Sequence, residues 1–276
     1  GASECWRRWS RDKGYSVRRF DFPLDDAPGL SARDVVALHT RQIRDNTRVL
    51  VLPHIDNMVG LLHPVREIAS AARAKGVEFV LLDAAQSVGM IDVNVTALGC
   101  DAIATSAHKW LQAPKGTGLL YVAPHLRDVL QPMWVTWGQS RWPDSARKFE
   151  DYGTRDPTLT MALGDAAVLH ARTPFLERAA HLAALRQHLM TRVDAESSLH
   201  WRSPRDRALG ASLVGVQMKG VKSSAVFAKM REHGFIFRPF DQDDYTALRI
   251  SMNMVNTMDE IDRFFKSLGE AGFLRS

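Results

Sequence analysis

The chain has 276 residues, 45% of them hydrophobic and 24% charged. These are ordinary values for a globular enzyme able to bury a core in one large domain or in a large and a small one. The net charge of +5 comes mostly from scattered arginines, with no block of like charge and no basic stripe interleaved with aromatics, so nucleic-acid binding is disfavoured. Cys5 and Cys100 are too few and too unpatterned for a disulfide framework or a zinc site, and no apolar run approaches a membrane span. The expected setting is a reducing cytoplasm, with no metal and no membrane partner.

In chain order, Ser31-Ala32-Arg33-Asp34 reads as a capping box ahead of an amphipathic helix carrying Val35, Leu38 and Ile43. Residues 49–52 form a short apolar strand ending at Pro53-His54. Pro64 starts a helix with Val65, Ile68, Ala69 and Ala72 on one face, closed by Gly76. Residues 79–82 and 102–105 are further strands, and Gly116-Thr117-Gly118 turns the chain into another at 119–122. Continuous apolar strands separated by helices predict an α/β fold: a mostly parallel sheet with helices on both faces. After about residue 157 the pattern changes. A long helix over 175–193 leads to an apolar strand at 213–218, a helix at 223–233, and strands at 235–237 and 248–251. Thr257-Met258-Asp259-Glu260 caps a final helix carrying Ile261, Phe264, Phe265 and Leu268. The expected division is a large domain over 1–157 and a smaller α+β domain over 158–276.

Ligands of such sheets bind beyond the carboxyl ends of the strands. His54, Asp83 and the run Ser106-Ala107-His108-Lys109 all fall at that edge. An apolar run ending in a carboxylate, with a lysine leaving the next run, is the pair that a pyridoxal phosphate enzyme requires. The lysine forms a Schiff base with the cofactor, and the carboxylate keeps the ring nitrogen protonated so that the ring accepts electrons from a substrate carbanion.

Longer motifs extend this pair. They are Leu52-Pro53-His54-Ile55-Asp56-Asn57-Met58-Val59-Gly60, Leu82-Asp83-Ala84-Ala85-Gln86-Ser87-Val88-Gly89, and His108-Lys109-Trp110-Leu111 running into Ala113-Pro114-Lys115-Gly116-Thr117-Gly118. Gly153-Thr154-Arg155-Asp156-Pro157 and Arg249-Ile250-Ser251 with Asn256-Thr257 complete the set. In this order the chain resembles the class V aminotransferase family of fold-type I pyridoxal phosphate enzymes, and within it the isopenicillin N epimerase-like branch. The resemblance covers nearly the whole sequence.

The resemblance implies roles residue by residue. Lys109 would form the internal aldimine and shuttle the substrate Cα proton, and Asp83 would hold the pyridine nitrogen protonated. Gln86 and Asn57 would hydrogen-bond the phenolic oxygen, and Ser106 and His108 would bind the phosphate. Thr154 would reach the phosphate of a partner subunit in a homodimer with shared sites. Arg249 would clamp the α-carboxylate of an amino-acid substrate through a planar fork. His54 and Arg155 are secondary candidates without a firm role. Trp110, Trp134 and Trp137 read as packing residues.

Family members carry a further N-terminal segment with a phosphate-binding helix N-terminus and a ring-stacking aromatic residue. Aligned on Trp6 and Gly14, the sequence begins almost where that stacking residue belongs, so a fragment of a longer protein is expected. No cysteine follows Cys100, which disfavours desulfuration through a persulfide. The function expected is epimerase or C–S lyase chemistry through an external aldimine and quinonoid. The alternatives are an aminotransferase of the same family and a non-catalytic relative serving as a binding or assembly subunit.

Overall fold

A computed structural model describes residues 2–242 and 245–274. Helices α1 (Ala2–Lys13) and α2 (Ala32–Thr40) precede the first strand. The box at Ser31 forms reciprocally: its side chain accepts the Asp34 N–H, and the Asp34 carboxylate accepts the Ser31 N–H at 3.0 Å. Helix α2 stops at Thr40, so Ile43 joins the core from the turn beyond it rather than from the helix.

Strands β1 (Val49–Pro53), β2 (Phe79–Asp83) and β3 (Ala102–Ser106) are parallel neighbours, and β4 (Gly118–Val122) joins β3 antiparallel. Only residues 107–117 separate β3 from β4, with no helix among them. A parallel return needs a crossover of a dozen or more residues, so this link reverses the chain. Between β1 and β2 runs α3 (Val65–Ala74), whose buried Val65, Ile68, Ala69 and Ala72 meet Leu52, Val80, Leu82 and Ile103 in one core. Each large side chain sealed there contributes about 1.5–3 kcal/mol. By register Leu52, Leu82 and Ile103 share that covered face, whereas Pro53, Asp83, Ala104 and Leu120 share the opposite one.

Helices α4 (Thr158–Arg172) and α5 (Phe175–Asp194) lead into a second sheet. It contains β5 (Leu199–Trp201), β6 (Leu213–Met218), β7 (Arg238–Gln242) and β8 (Tyr245–Ser251), in the order β5-β6-β8-β7 and antiparallel throughout. Helix α6 (Ser223–Glu232) precedes β7. Helix α7 (Met258–Glu270) starts from the Thr257–Glu260 capping box and buries Ile261, Phe264, Phe265 and Leu268 against residues of α5, β6 and β8.

Sequence periodicity misplaced one strand of this sheet. The strand expected at 235–237 begins at Arg238 instead. Phe235 and Phe237 precede it and pack edge-on against Phe264, with ring centroids at 5.3 and 5.8 Å. Pro239 lies inside β7, and it is tolerated because β7 is an edge strand that does not need its N–H.

Candidate active site

Asp83 is the last residue of β2. One carboxylate oxygen accepts the Ala85 N–H at 3.0 Å, an Asx turn that ends the strand and starts the bend to Gln86. The Asp83 carbonyl accepts the His54 N–H at 2.8 Å, and the Thr105 hydroxyl donates to the Ala84 carbonyl at 3.0 Å. The backbone at Asp83 and Ala84 is thus tied to the ends of β1 and β3, and the carboxylate is held by the Ala85 N–H.

Lys109 leaves β3 on a tight turn, its N–H directed to the Ser106 carbonyl at 3.4 Å. Gly89 lets the two turns touch. It has φ +95°, and a Cβ there would stand 2.4 Å from Leu111 N and 2.6 Å from the Trp110 carbonyl oxygen. Across this contact the Trp110 indole N–H donates to Gln86 Oε1 at 2.9 Å, both residues being buried. Indole is a donor only, so the carboxamide turns its oxygen to Trp110 and keeps its NH2 hydrogens for another acceptor.

Burial and the cation of Arg249 lower the Lys109 pKa, while the Asp83 carboxylate opposes them. A less basic ammonium yields more of the free amine that attacks a carbonyl. Arg249, half-buried on β8, donates from Nη1 to the Asn57 carbonyl at 3.1 Å. Lys109, Asp83, Arg249 and Asn57 therefore form one neighbourhood, drawn from both sheets.

The other sequence candidates divide. Ser106 is half-buried at the end of β3. His108 is exposed and donates from Nδ1 to the Thr117 carbonyl at 3.3 Å, which leaves Nε2 for a phosphate. His54 belongs to the interior: burial pushes its pKa down to about 4, and it neighbours His63, whose ring meets His39 at 5.0 Å. Thr154 and Arg155 are exposed beyond Gly153, with Arg155 over the Tyr152 ring at 5.0 Å. Among the described residues, neither bonds to Ser106 or His108.

Two residues escaped the sequence reading. Trp110 is buried packing, as expected, but it also orients Gln86. Asp56, read only as part of a motif, accepts the N–H groups of Met58, Val59 and Leu61. The signal for Asp56 was present as an Asp opening a turn that closes on Gly60.

The fold and this neighbourhood define a fold-type I pyridoxal phosphate enzyme. An aminotransferase class-V family model matches residues 1–264, and the chain belongs to that family. It is 30% identical to the isopenicillin N epimerase of Amycolatopsis lactamdurans, over 96% of this chain and 70% of the relative. Identity is 25% to a probable cysteine desulfurase of Pyrococcus abyssi, over 96% and 68%. The cystine C–S lyase C-DES, solved with its product cysteine persulfide, superposes with a TM-score of 0.84 at 22% identity, over 96% of this chain and 71% of that one. Another structure of that lyase carries glycine covalently linked to its pyridoxal phosphate.

The residues present fit that cofactor. A lysine of lowered pKa lies within electrostatic reach of a carboxylate, and an amide whose oxygen is already bonded can donate to a phenolate.

Proposed function

We propose that the protein acts on an amino acid at Cα or Cβ, as an epimerase or a C–S lyase. The supporting observation is the electrostatic coupling of Lys109 to both Asp83 and Arg249. Pyridoxal phosphate supplies, when bound, the electron sink for a substrate carbanion. The chain's own groups do the rest. Lys109 Nζ holds the cofactor and moves the Cα proton. Asp83 keeps a proton on the ring nitrogen, Gln86 and Asn57 donate toward the phenolic oxygen, and Ser106 and His108 receive the phosphate. Arg249 binds the α-carboxylate, which orients the Cα–H bond.

Desulfuration through a cysteine persulfide fits less well. Cys100 is buried, and burial together with Asp101 pushes its thiol up to about 12. A thiol held protonated is a poor sulfur nucleophile.

The reading includes a homodimer, with Thr154 of one subunit serving the phosphate of the other. It also takes the chain as two domains, 1–157 and 158–276, working in the cytoplasm. No helix among the described residues is long and apolar enough to cross a membrane.

The test is covalent. The protein is incubated with pyridoxal phosphate, reduced with borohydride and mapped by peptide mass, and the label is expected on Lys109 alone. Incubation with single L- and D-amino acids in deuterium oxide then reads exchange at Cα. A label on another lysine, or a label retained in Lys109→Ala, defeats the assignment.

A further inference from the structure

The turn over residues 56–61 joins the two sheets. It follows β1 after His54 and Ile55, and β6 and β8 of the second sheet, with Ala211 ahead of β6, close onto it. Tyr245 donates its hydroxyl to the Met58 carbonyl at 3.4 Å, and Arg249 reaches the Asn57 carbonyl at 3.1 Å. Gly60, at φ +66°, lies so close to β6 that a Cβ would stand 1.7 Å from the Leu213 carbonyl oxygen. The Ala211 N–H donates to the Gly60 carbonyl at 3.2 Å.

Asp56 holds this turn from inside. Oδ1 accepts the Met58 and Val59 N–H groups at 2.7 and 2.8 Å, and Oδ2 accepts that of Leu61. Its own N–H closes the turn on the Leu61 carbonyl at 3.1 Å. Burial raises the Asp56 pKa, and the three N–H groups it accepts, together with the Arg249 cation, oppose that rise. Arg249 Nε is buried with no hydrogen-bond partner among the described residues. The guanidinium is therefore anchored at Nη1 with donor capacity left over.

We infer that Asp56 is a positioning residue: by fixing the turn that carries Asn57, it sets the carbonyl that aims Arg249 at the substrate carboxylate. The inference rests on the reading of Arg249 given above. One carboxylate thereby ties a group on the cofactor side, Asn57, to a group on the substrate side, Arg249. Loosening the turn lets the fork swing while the charge remains, and a swinging fork loses geometric selectivity before it loses attraction.

Asp56→Asn separates these effects. Asparagine keeps an Oδ1 for Met58 and Val59 but presents an NH2 to Leu61, which cannot accept a hydrogen bond. With the pyridoxal phosphate-loaded full chain, affinities for L-alanine and for ethylamine are read from the shift of the cofactor absorbance. The variant should lose about tenfold of the wild-type preference for L-alanine, with ethylamine binding unchanged. A preference equal to wild type overturns the inference, whereas a wild type without preference overturns the carboxylate role of Arg249 and the inference with it.

A second measurement needs no cofactor. Urea unfolding of Asp56→Asn, Arg249→Gln and the double variant should give shifts that fall short of additivity, because each change weakens the same turn. Strictly additive shifts overturn the coupling. If Asp56→Asn does not fold, hydrogen exchange of amides 58–61 in Arg249→Gln decides: faster exchange than wild type supports the inference, and equal exchange overturns it.

Discussion

A carboxamide is nearly symmetric in shape, and the indole of Trp110 removes the ambiguity at Gln86. Trp110→Phe keeps an aromatic ring in the core but deletes the donor, leaving Gln86 Oε1 without its 2.9 Å partner. An orphaned buried acceptor costs about 1–3 kcal/mol, and a flipped amide would present its oxygen to an anionic phenolate. The expected result is cofactor affinity weakened about tenfold by equilibrium dialysis. Affinity equal to wild type would mean that the indole only fills space. Asp83→Asn tests a different property, since it keeps the shape and removes the charge that retains a proton on the ring nitrogen. Cα deuterium exchange should fall by orders of magnitude while cofactor content changes little, and undiminished exchange would exclude the role. Arg249→Lys keeps the cation but loses the fork, so kcat/KM for an amino acid should drop by about 1–3 kcal/mol. The matching amine should be unaffected, and equal damage to both would remove carboxylate recognition.

Between residues and the whole chain, three elements meet in a buried histidine cluster. His39 lies in the last turn of α2, His54 follows β1 and His63 precedes α3, with His39 and His63 ring to ring and Phe22 against both. Burial lowers all three pKa values, that of His54 from 6.5 to about 4. The unfolded chain therefore binds more protons than the folded one between 6.5 and about 4, and stability falls as pH falls through that window. His54 alone accounts for on the order of 3 kcal/mol once the pH is below both values. Urea midpoints should be flat above pH 6.5 and fall below it, and His63→Gln should flatten the slope. A midpoint independent of pH in that range would show that the cluster accepts protons without cost.

The same elements show what the sequence could reveal. Capping boxes at Ser31 and Thr257 and the strands closing on Pro53, Asp83 and Ser106 were legible because their signals are local: a side chain to a nearby backbone N–H, or an unbroken apolar run. The start of β7 was not, because Phe235 and Phe237 have strand-like spacing but pack against α7. Likewise the placement of Asp83 at the end of β2 and of Lys109 just past β3 could be read from the apolar runs. The turn at Asp56 was legible, but its link to Arg249, 193 positions later, was not, nor was that of Gln86 to Trp110 across a contact that only Gly89 permits.

At the scale of the molecule, apolar side chains stand in water on two stretches. Trp134 and Trp137, expected as packing residues, instead stand exposed with Val135 (94%) after β4, because no core of the described residues covers them, and Met161, Val168 and Leu169 lie along α4. Scattered apolar exposure is normal, but tryptophan and aliphatic groups in runs mark an interaction surface. Thr154 lies between these stretches on the Gly153 turn (φ +112°). Nothing stands within 4 Å of a Cβ placed at Gly153, so the turn is open to an approaching anion. A homodimer that buries both stretches would carry Thr154 to the partner's phosphate site. Sedimentation should give twice the chain mass, and Trp137→Glu should shift it toward monomer. Sharing of sites needs a separate experiment, since dimers also form without it. Lys109→Ala and Thr154→Ala proteins are each expected to be inactive, or nearly so, in Cα exchange. In a mixed dimer one site carries both defects and the other carries neither, so activity should return as subunits exchange. If mass measurement confirms exchange and activity stays absent, Thr154 serves its own subunit or no phosphate at all.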